Sequence, residues 1–186
     1  MDHESALFQF KGCGVDDFKV KILGVRDYIE TSEKEVIYND LICLIIDNQI
    51  DYFEASTDPG SFYVRHPMVP QGCARLQTGL WWYQRGTHLH VHPALVQADE
   101  VRIDRIDKQG NKIAEQHGYF GINIHSGGSE FEVGRFSAGC QVIKCVEGAW
   151  GLTWLRFFGM CCAAMADHNQ YKVPYLLVDK LKARQA

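Results

Sequence analysis

His125 and Cys140 stand fifteen residues apart, histidine first, within GINIHSGGSEFEVGRFSAGCQVI, the stretch from Gly121 to Ile143. An imidazole that meets a thiol can take its proton, and the thiolate can then attack a carbonyl and carry the acyl group as a thioester. Cys140 lies in Ser137-Ala138-Gly139-Cys140, where two small residues leave room for a substrate backbone and for amide N–H groups to hold an oxyanion. His125 ends the alternating run Phe120-Gly121-Ile122-Asn123-Ile124-His125, which reads as a strand and would hold the imidazole on a rigid element. A cysteine is also a small apolar filler of cores. Cys43 in Leu41-Ile42-Cys43-Leu44-Ile45-Ile46 and the Cys161-Cys162 pair in an apolar helical stretch read that way, whereas Cys140 has a polar, glycine-adjacent setting.

A second chemistry is written in His88-Leu89-His90-Val91-His92. Histidines at alternate positions of a strand share a face and can chelate a metal. At ~3.3 Å per residue the outer pair of such a strand stand ~13 Å apart, so one ion takes two of the three and needs further ligands from elsewhere. Asp104, His117 and His125 are the candidates, and the plainer alternative is a polar strand face or cleft wall. Trp81, Trp82 and Tyr83 just before this run can hold a glycan or a peptide, or pack within a sheet. Arg135, between His125 and Cys140, can pair with a carboxylate or stand as a solvated loop charge.

Ile124-His125-Ser126 followed by Ser137-Ala138-Gly139-Cys140-Gln141 resembles the signature of L,D-transpeptidase (YkuD-type) domains, in which a strand carries Ile-His-Gly or Ile-His-Ser and a loop carries Ser-His-Gly-Cys. Ala138 occupies the place of the second histidine. A wider resemblance, to a phage and bacterial subgroup with the Ser-x-Gly-Cys form, rests on Tyr38-Asn39-Asp40, on Ala55 to Gly60, on Gly86-Thr87-His88, and on Ala94-Leu95-Val96-Gln97. It implies a β-sandwich-like fold, a Cys140 nucleophile, His125 as base with its ring oriented by the Ser126 carbonyl, and peptidoglycan stem peptides as substrate. The oxyanion would rest on the N–H groups of Cys140 and Gly139, with Ser137, Gln141, Arg135 and His88 around the substrate. No cofactor and no metal is expected. Three alternatives accompany this expectation of a stem-peptide hydrolase: a cross-linking transpeptidase, a zinc hydrolase on His88, His90 and His92, and a wall-binding protein without chemistry.

The chain is 186 residues long, 46% hydrophobic and 23% charged, enough for one domain with a buried core. A formal net charge of −4 leaves no electrostatic footprint for nucleic acid or an anionic membrane. The opening Met1-Asp2-His3-Glu4 lacks the basic start and apolar run of a secretory signal, and no stretch of 18 apolar residues occurs. Seven cysteines without regular spacing fit a reducing compartment. These features lead us to expect synthesis in the cytoplasm, with access to the wall through a holin or a secretion machine. Oligomeric state is not legible.

The elements that must position the site read as follows. Residues 1–186 form a single domain, with an N-terminal strand or extension to about residue 37. Leu41 to Ile46 and Gln49 to Ala55 form a hairpin about Asp47-Asn48, stopped by Asp58-Pro59-Gly60. Val101 to Ile106 is a strand before the polar turn 107–111, and Pro174 to Val178 is a closing strand. One long helix spans about Glu147 to Asp167, with Trp150, Trp154, Phe157, Phe158, Cys161 and Met165 on its apolar stripe. The expected class is mainly β with a long C-terminal helix.

Overall fold

A computed structural model describes residues 1–27, 37–128, 131–148 and 150–179. Eight strands close into a barrel: β1 (Val20–Val25), β11 (Val173–Val178), β5 (Gly79–His88), β6 (His92–Gln97), β9 (Ile124–Ser126), β10 (Gln141–Ile143), β3 (Gln49–Ser56) and β2 (Asp40–Ile46), in that order around the wall. A separate three-stranded sheet joins β4 (Cys73–Leu76), β7 (Val101–Ile106) and β8 (Lys112–Gly118). Three helices occur among the described residues: α1 (His3–Gln9), α2 (Ser61–Arg65) and α3 (Leu152–Asp167). The protein is thus mainly β with a C-terminal helix, and its main sheet closes on itself rather than forming two open layers. Among the described residues no helix is long and apolar enough to cross a membrane.

The continuous apolar reading of β2 has a direct cause. Ile42 and Leu44 face inward to a core shared with Ile22, Phe53, Leu95 and Tyr175, and α3 closes that core with Trp154, Phe157, Cys161 and Met165. Cys43 and Ile45 face the other way, against Leu23, Val25, Ala6 of α1 and Phe10 just after that helix. Both faces of the strand are covered, so neither can be polar. β1 falls inside the expected N-terminal extension but is a stave of the barrel, antiparallel to β2 and parallel to β11. The helix is shorter than its sequence pattern suggested, because Gly151 caps it and Trp150 lies before it, exposed to solvent.

Two strand expectations fail, and both failures shape the site. Phe120 to Asn123 is irregular, and only Ile124–Ser126 is strand. His88 and His92 do not lie along one strand: β5 ends at His88, β6 begins at His92, and the two residues are paired across a tight hairpin. Leu89 and His90, the first two of the three loop residues, both have positive φ, in a tight turn closed by the Val91 N–H on the His88 carbonyl at 3.2 Å, a twist that alternation of residue types does not disclose. The aromatic run before them packs within the sheet: Tyr83 is fully buried, Trp82 meets Phe18, and Trp81 donates its indole N–H to the Gln77 carbonyl at 2.8 Å.

Below the site lies a partly buried ionic cluster. Arg75 grips Asp58 with two nitrogens at 2.6 and 3.1 Å, and Arg26 reaches Asp58, the Thr57 hydroxyl and the Leu76 carbonyl. Asp40 accepts from the Thr57 N–H and hydroxyl and from the Asp27 N–H. These bonds fix the 57–60 bend, and from that bend Gly60 N–H donates to the Ser137 carbonyl at 2.8 Å. The cysteine loop is therefore tied to a part of the molecule that is both charged and partly buried.

Candidate active site

Parallel pairing of β9 with β10 brings the two reactive residues together. Gln141 stands beside Ile124 and Val142 beside His125, so the residue just before β10, Cys140, is carried to the histidine. One ring nitrogen of His125, one of His88 and Cys140 Sγ all lie within 4.8 Å of one another. His125 Nδ1 lies 2.8 Å from the Ser126 carbonyl oxygen, which can only accept, so Nδ1 carries the proton and Nε2 is left as the basic atom. That Nε2 is buried and has no hydrogen-bond partner among the described residues. A buried acceptor without a donor costs about 1–3 kcal/mol, and here the adjacent thiol offers the proton that would satisfy it.

The resting pair is uncharged. Burial pushes the Cys140 thiol up to about 11, and burial, aided by His88, pushes His125 down to about 4. Both shifts favour a neutral thiol beside a neutral imidazole, because neither ion is solvated there. The thiol hydrogen is directed to the Gly121 carbonyl at 3.5 Å, and the Asn123 N–H points at Sγ from 3.5 Å. Reaction requires the thiol to turn from Gly121 to His125.

The loop that presents the thiol is held by its own polar atoms. Ser137 Oγ donates to the Cys140 carbonyl at 2.7 Å and accepts from the Gly139 N–H at 3.1 Å. The Gly139 N–H is thereby taken, and it leaves the pair of backbone oxyanion donors expected from sequence. Cys140 N–H remains, without an acceptor among the described residues. Gly139 itself has φ +138°, and a Cβ there would stand 2.8 Å from the Ala74 carbonyl oxygen. Gln141 does not reach the substrate. It is buried, accepts from the Tyr175 hydroxyl at 2.9 Å and donates to the Thr57 and Gly139 carbonyls, which makes it a brace for the loop.

A cleft of about 620 Å³ opens over the thiol, lined among others by Cys140, Ala138, His88, His90, Arg105 and Arg135. The described residues that line it include no carboxylate. Arg135 lies with its guanidinium 4.0 Å from the Phe62 ring centre, and Arg105 lies over Phe120 while bonding Gln116 and the Gly72 carbonyl. Arg105 was not foreseen from sequence, nor was Asn123, nor Gln97. The last accepts from the Phe120 and Ile122 N–H groups and donates to the Gly118 carbonyl, and so folds the irregular segment that carries Gly121 and Asn123. Gln97 closes the Ala94-Leu95-Val96-Gln97 block, which was the available signal.

The same geometry tells against the histidine metal site. His88 and His125 are stacked with ring centres 4.2 Å apart and planes inclined by 15°. Nitrogen lone pairs lie in the ring plane, so two stacked rings direct them along parallel planes rather than toward one ion. Asp104 is bound to Lys112 and Gln77, and His117 faces Glu100, so neither joins the cluster. No family model, curated protein sequence or solved structure matches this chain.

Proposed function

We propose that the protein is a cysteine-dependent acyl-transfer enzyme that hydrolyses stem peptides of peptidoglycan. The observation that carries the reading is the buried His125 Nε2, partnerless among the described residues, beside Cys140, with its ring fixed through Nδ1 by Ser126. In the forward step the Cys140 thiol proton passes to His125 Nε2 as sulfur bonds to a peptide carbonyl carbon. The oxyanion collapses, the carbon–nitrogen bond breaks, and the leaving amine takes the proton from His125. Water then opens the thioester, again through His125, and restores the thiol.

A cleft with arginines and without carboxylates suits a substrate rich in carboxylates, as stem peptides are. Ala138 leaves a methyl where the resembled domains place an imidazole, so water reaches the acyl-enzyme freely and hydrolysis prevails over cross-linking. The L,D-transpeptidase-like reading of the fold belongs to the same proposal, as does action on the wall after release through a holin or a secretion machine.

Incubation with purified sacculi, followed by mass spectrometry of the released muropeptides, tests this. We expect cleaved stems or cross-links and little new amine-linked product even with excess acceptor. A dominant yield of new cross-links would overturn the hydrolytic assignment, and unchanged sacculi would overturn the substrate.

A further inference from the structure

An oxyanion site works through converging donors, and of the two backbone N–H groups expected to supply them, those of Cys140 and Gly139, the second is held by Ser137 Oγ. Ala138 has no side-chain donor to add. The missing group is found on another strand. Asn123 Oδ1 accepts from the Gln97 N–H at 3.1 Å, which fixes the orientation of the Asn123 amide. Its Nδ2 then faces His88 Nδ1 at 3.2 Å and donates to it. A neutral imidazole that accepts at Nδ1 carries its proton on Nε2, and burial together with His92 holds His88 in the neutral form. His88 Nε2 has no partner among the described residues, and its ring forms part of the cleft wall beside Cys140.

We infer that His88 is a catalytic residue of this site, donating from Nε2–H to the oxyanion, while its stacked neighbour His125 works in the opposite tautomer as the base. The two rings face each other at 4.2 Å with different anchors: His125 gives its Nδ1 proton to the Ser126 carbonyl, and His88 receives one from Asn123 at Nδ1. One Nε2 is therefore an acceptor and the other a donor. The hairpin turn at Leu89 and His90 brings His88 to the position from which a second imidazole serves a loop that lacks one.

The inference rests on Cys140 acting as an acylated nucleophile, as proposed above, but not on peptidoglycan being the substrate, and the test keeps the two apart. p-Nitrophenyl acetate acylates a thiol through an oxyanion; iodoacetamide alkylates it without one. His88→Phe keeps an aromatic stack and removes the donor, so acylation should fall about 10²-fold or more while alkylation stays within about twofold. His88→Gln, which keeps an N–H, should recover part of the acylation rate. Equal acylation in wild type and His88→Phe overturns the inference, as does a parallel loss in both reactions, which would mean that His88 only shapes the thiol. If Cys140→Ala is acylated as fast as wild type, the nucleophile itself is wrong, and the inference falls with it. Nitrogen-15 spectra of the wild-type rings provide a measurement that needs no variant: His88 should be protonated on Nε2 and His125 on Nδ1, and a proton on His88 Nδ1 overturns the assignment.

Discussion

The backbone N–H of Asn123 points at Cys140 Sγ from 3.5 Å, and the side chain of the same residue holds His88. One asparagine thus serves both the nucleophile and the ring beside it. Sulfur that gains charge during reaction meets a donor already in place. Cys140→Ala should abolish turnover by about 10³-fold or more, with a melting temperature close to that of wild type, because Cys140 lines the cleft and its sulfur is packed on fewer sides than one in the inner core. Retained turnover in that variant, measured on sacculi, would sink the mechanism. Cys161→Ala should do the opposite, since Cys161 is packed in the inner core beside Met165.

Activity should persist to unusually low pH. The base must be neutral, and burial holds His125 near 4, so the acid limb of the pH–rate profile should lie near 4 rather than near 6.5. The thiol, raised to about 11, should be alkylated slowly at neutral pH and faster toward that value. An acid limb near pH 6.5 would show that His125 titrates as an ordinary imidazole, and rapid alkylation at pH 7 would show that the pair rests as an ion pair.

Two buried groups bend stability in opposite directions over the same range. His125 is depressed to about 4 from an ordinary 6.5, so the unfolded chain binds the extra proton, and the stability linked to His125 is lost as pH falls through that window. Asp40 is raised to about 6 by burial and by Asp58, so the folded chain binds the extra proton, and the stability linked to it is lost as pH rises from about 4 through 6. Each contributes about 3 kcal/mol over its full range, so they nearly cancel. Denaturant unfolding at pH 4.5 and 6.5 should show a small difference in wild type, lower stability at pH 6.5 in His125→Ala, and lower stability at pH 4.5 in Asp40→Asn. Slopes of the same sign in both variants would refute the assignment.

Gly139→Ala should lower both stability and turnover. The backbone there has positive φ, and the added methyl meets the Ala74 carbonyl at 2.8 Å and Ile122 at 2.9 Å, with backbone on one side and core on the other. We expect a loss of about 1–3 kcal/mol and a turnover deficit larger than the fraction unfolded explains. Wild-type kinetics in this variant would show that the loop tolerates a shift under Cys140.

Chelators should leave turnover unchanged. The stacked His88 and His125 rings would have to unstack before both could bind one ion, and doing so would break the His88 contact with Asn123. Activity lost in a chelator and restored by zinc would return the assignment to the histidine hairpin.

Much of this architecture is legible in residue patterns. The β2–β3 hairpin, β7 with its polar turn, β11 and the α3 stripe follow from alternation, apolar runs and helical spacing, each a local signal. The tie of His125 to Ser126 was expected from the resemblance. What escaped depends on pairings distant in the chain. Nothing near Cys140 reveals that Gly139 N–H is occupied by Ser137, that Gln141 turns inward to Tyr175, or that Gln97 and Asn123 orient a histidine on another strand. The HLHVH run misled for a different reason: alternation is the same in a strand and across a hairpin, and only the positive φ at Leu89 and His90 separates them.

The parallel seam between β1 and β11 joins residues far apart in the chain, as the bond from Val20 to Gln170 across 150 residues illustrates. The wall cannot close until β11 has left the ribosome, so the nascent chain travels with an open sheet edge for most of its synthesis. Such a topology folds late and slowly, and its exposed edges invite chaperones or aggregation. Split expression of the two halves should give insoluble pieces, and circular permutation through a linker from β11 to β1 should speed refolding more than it raises stability.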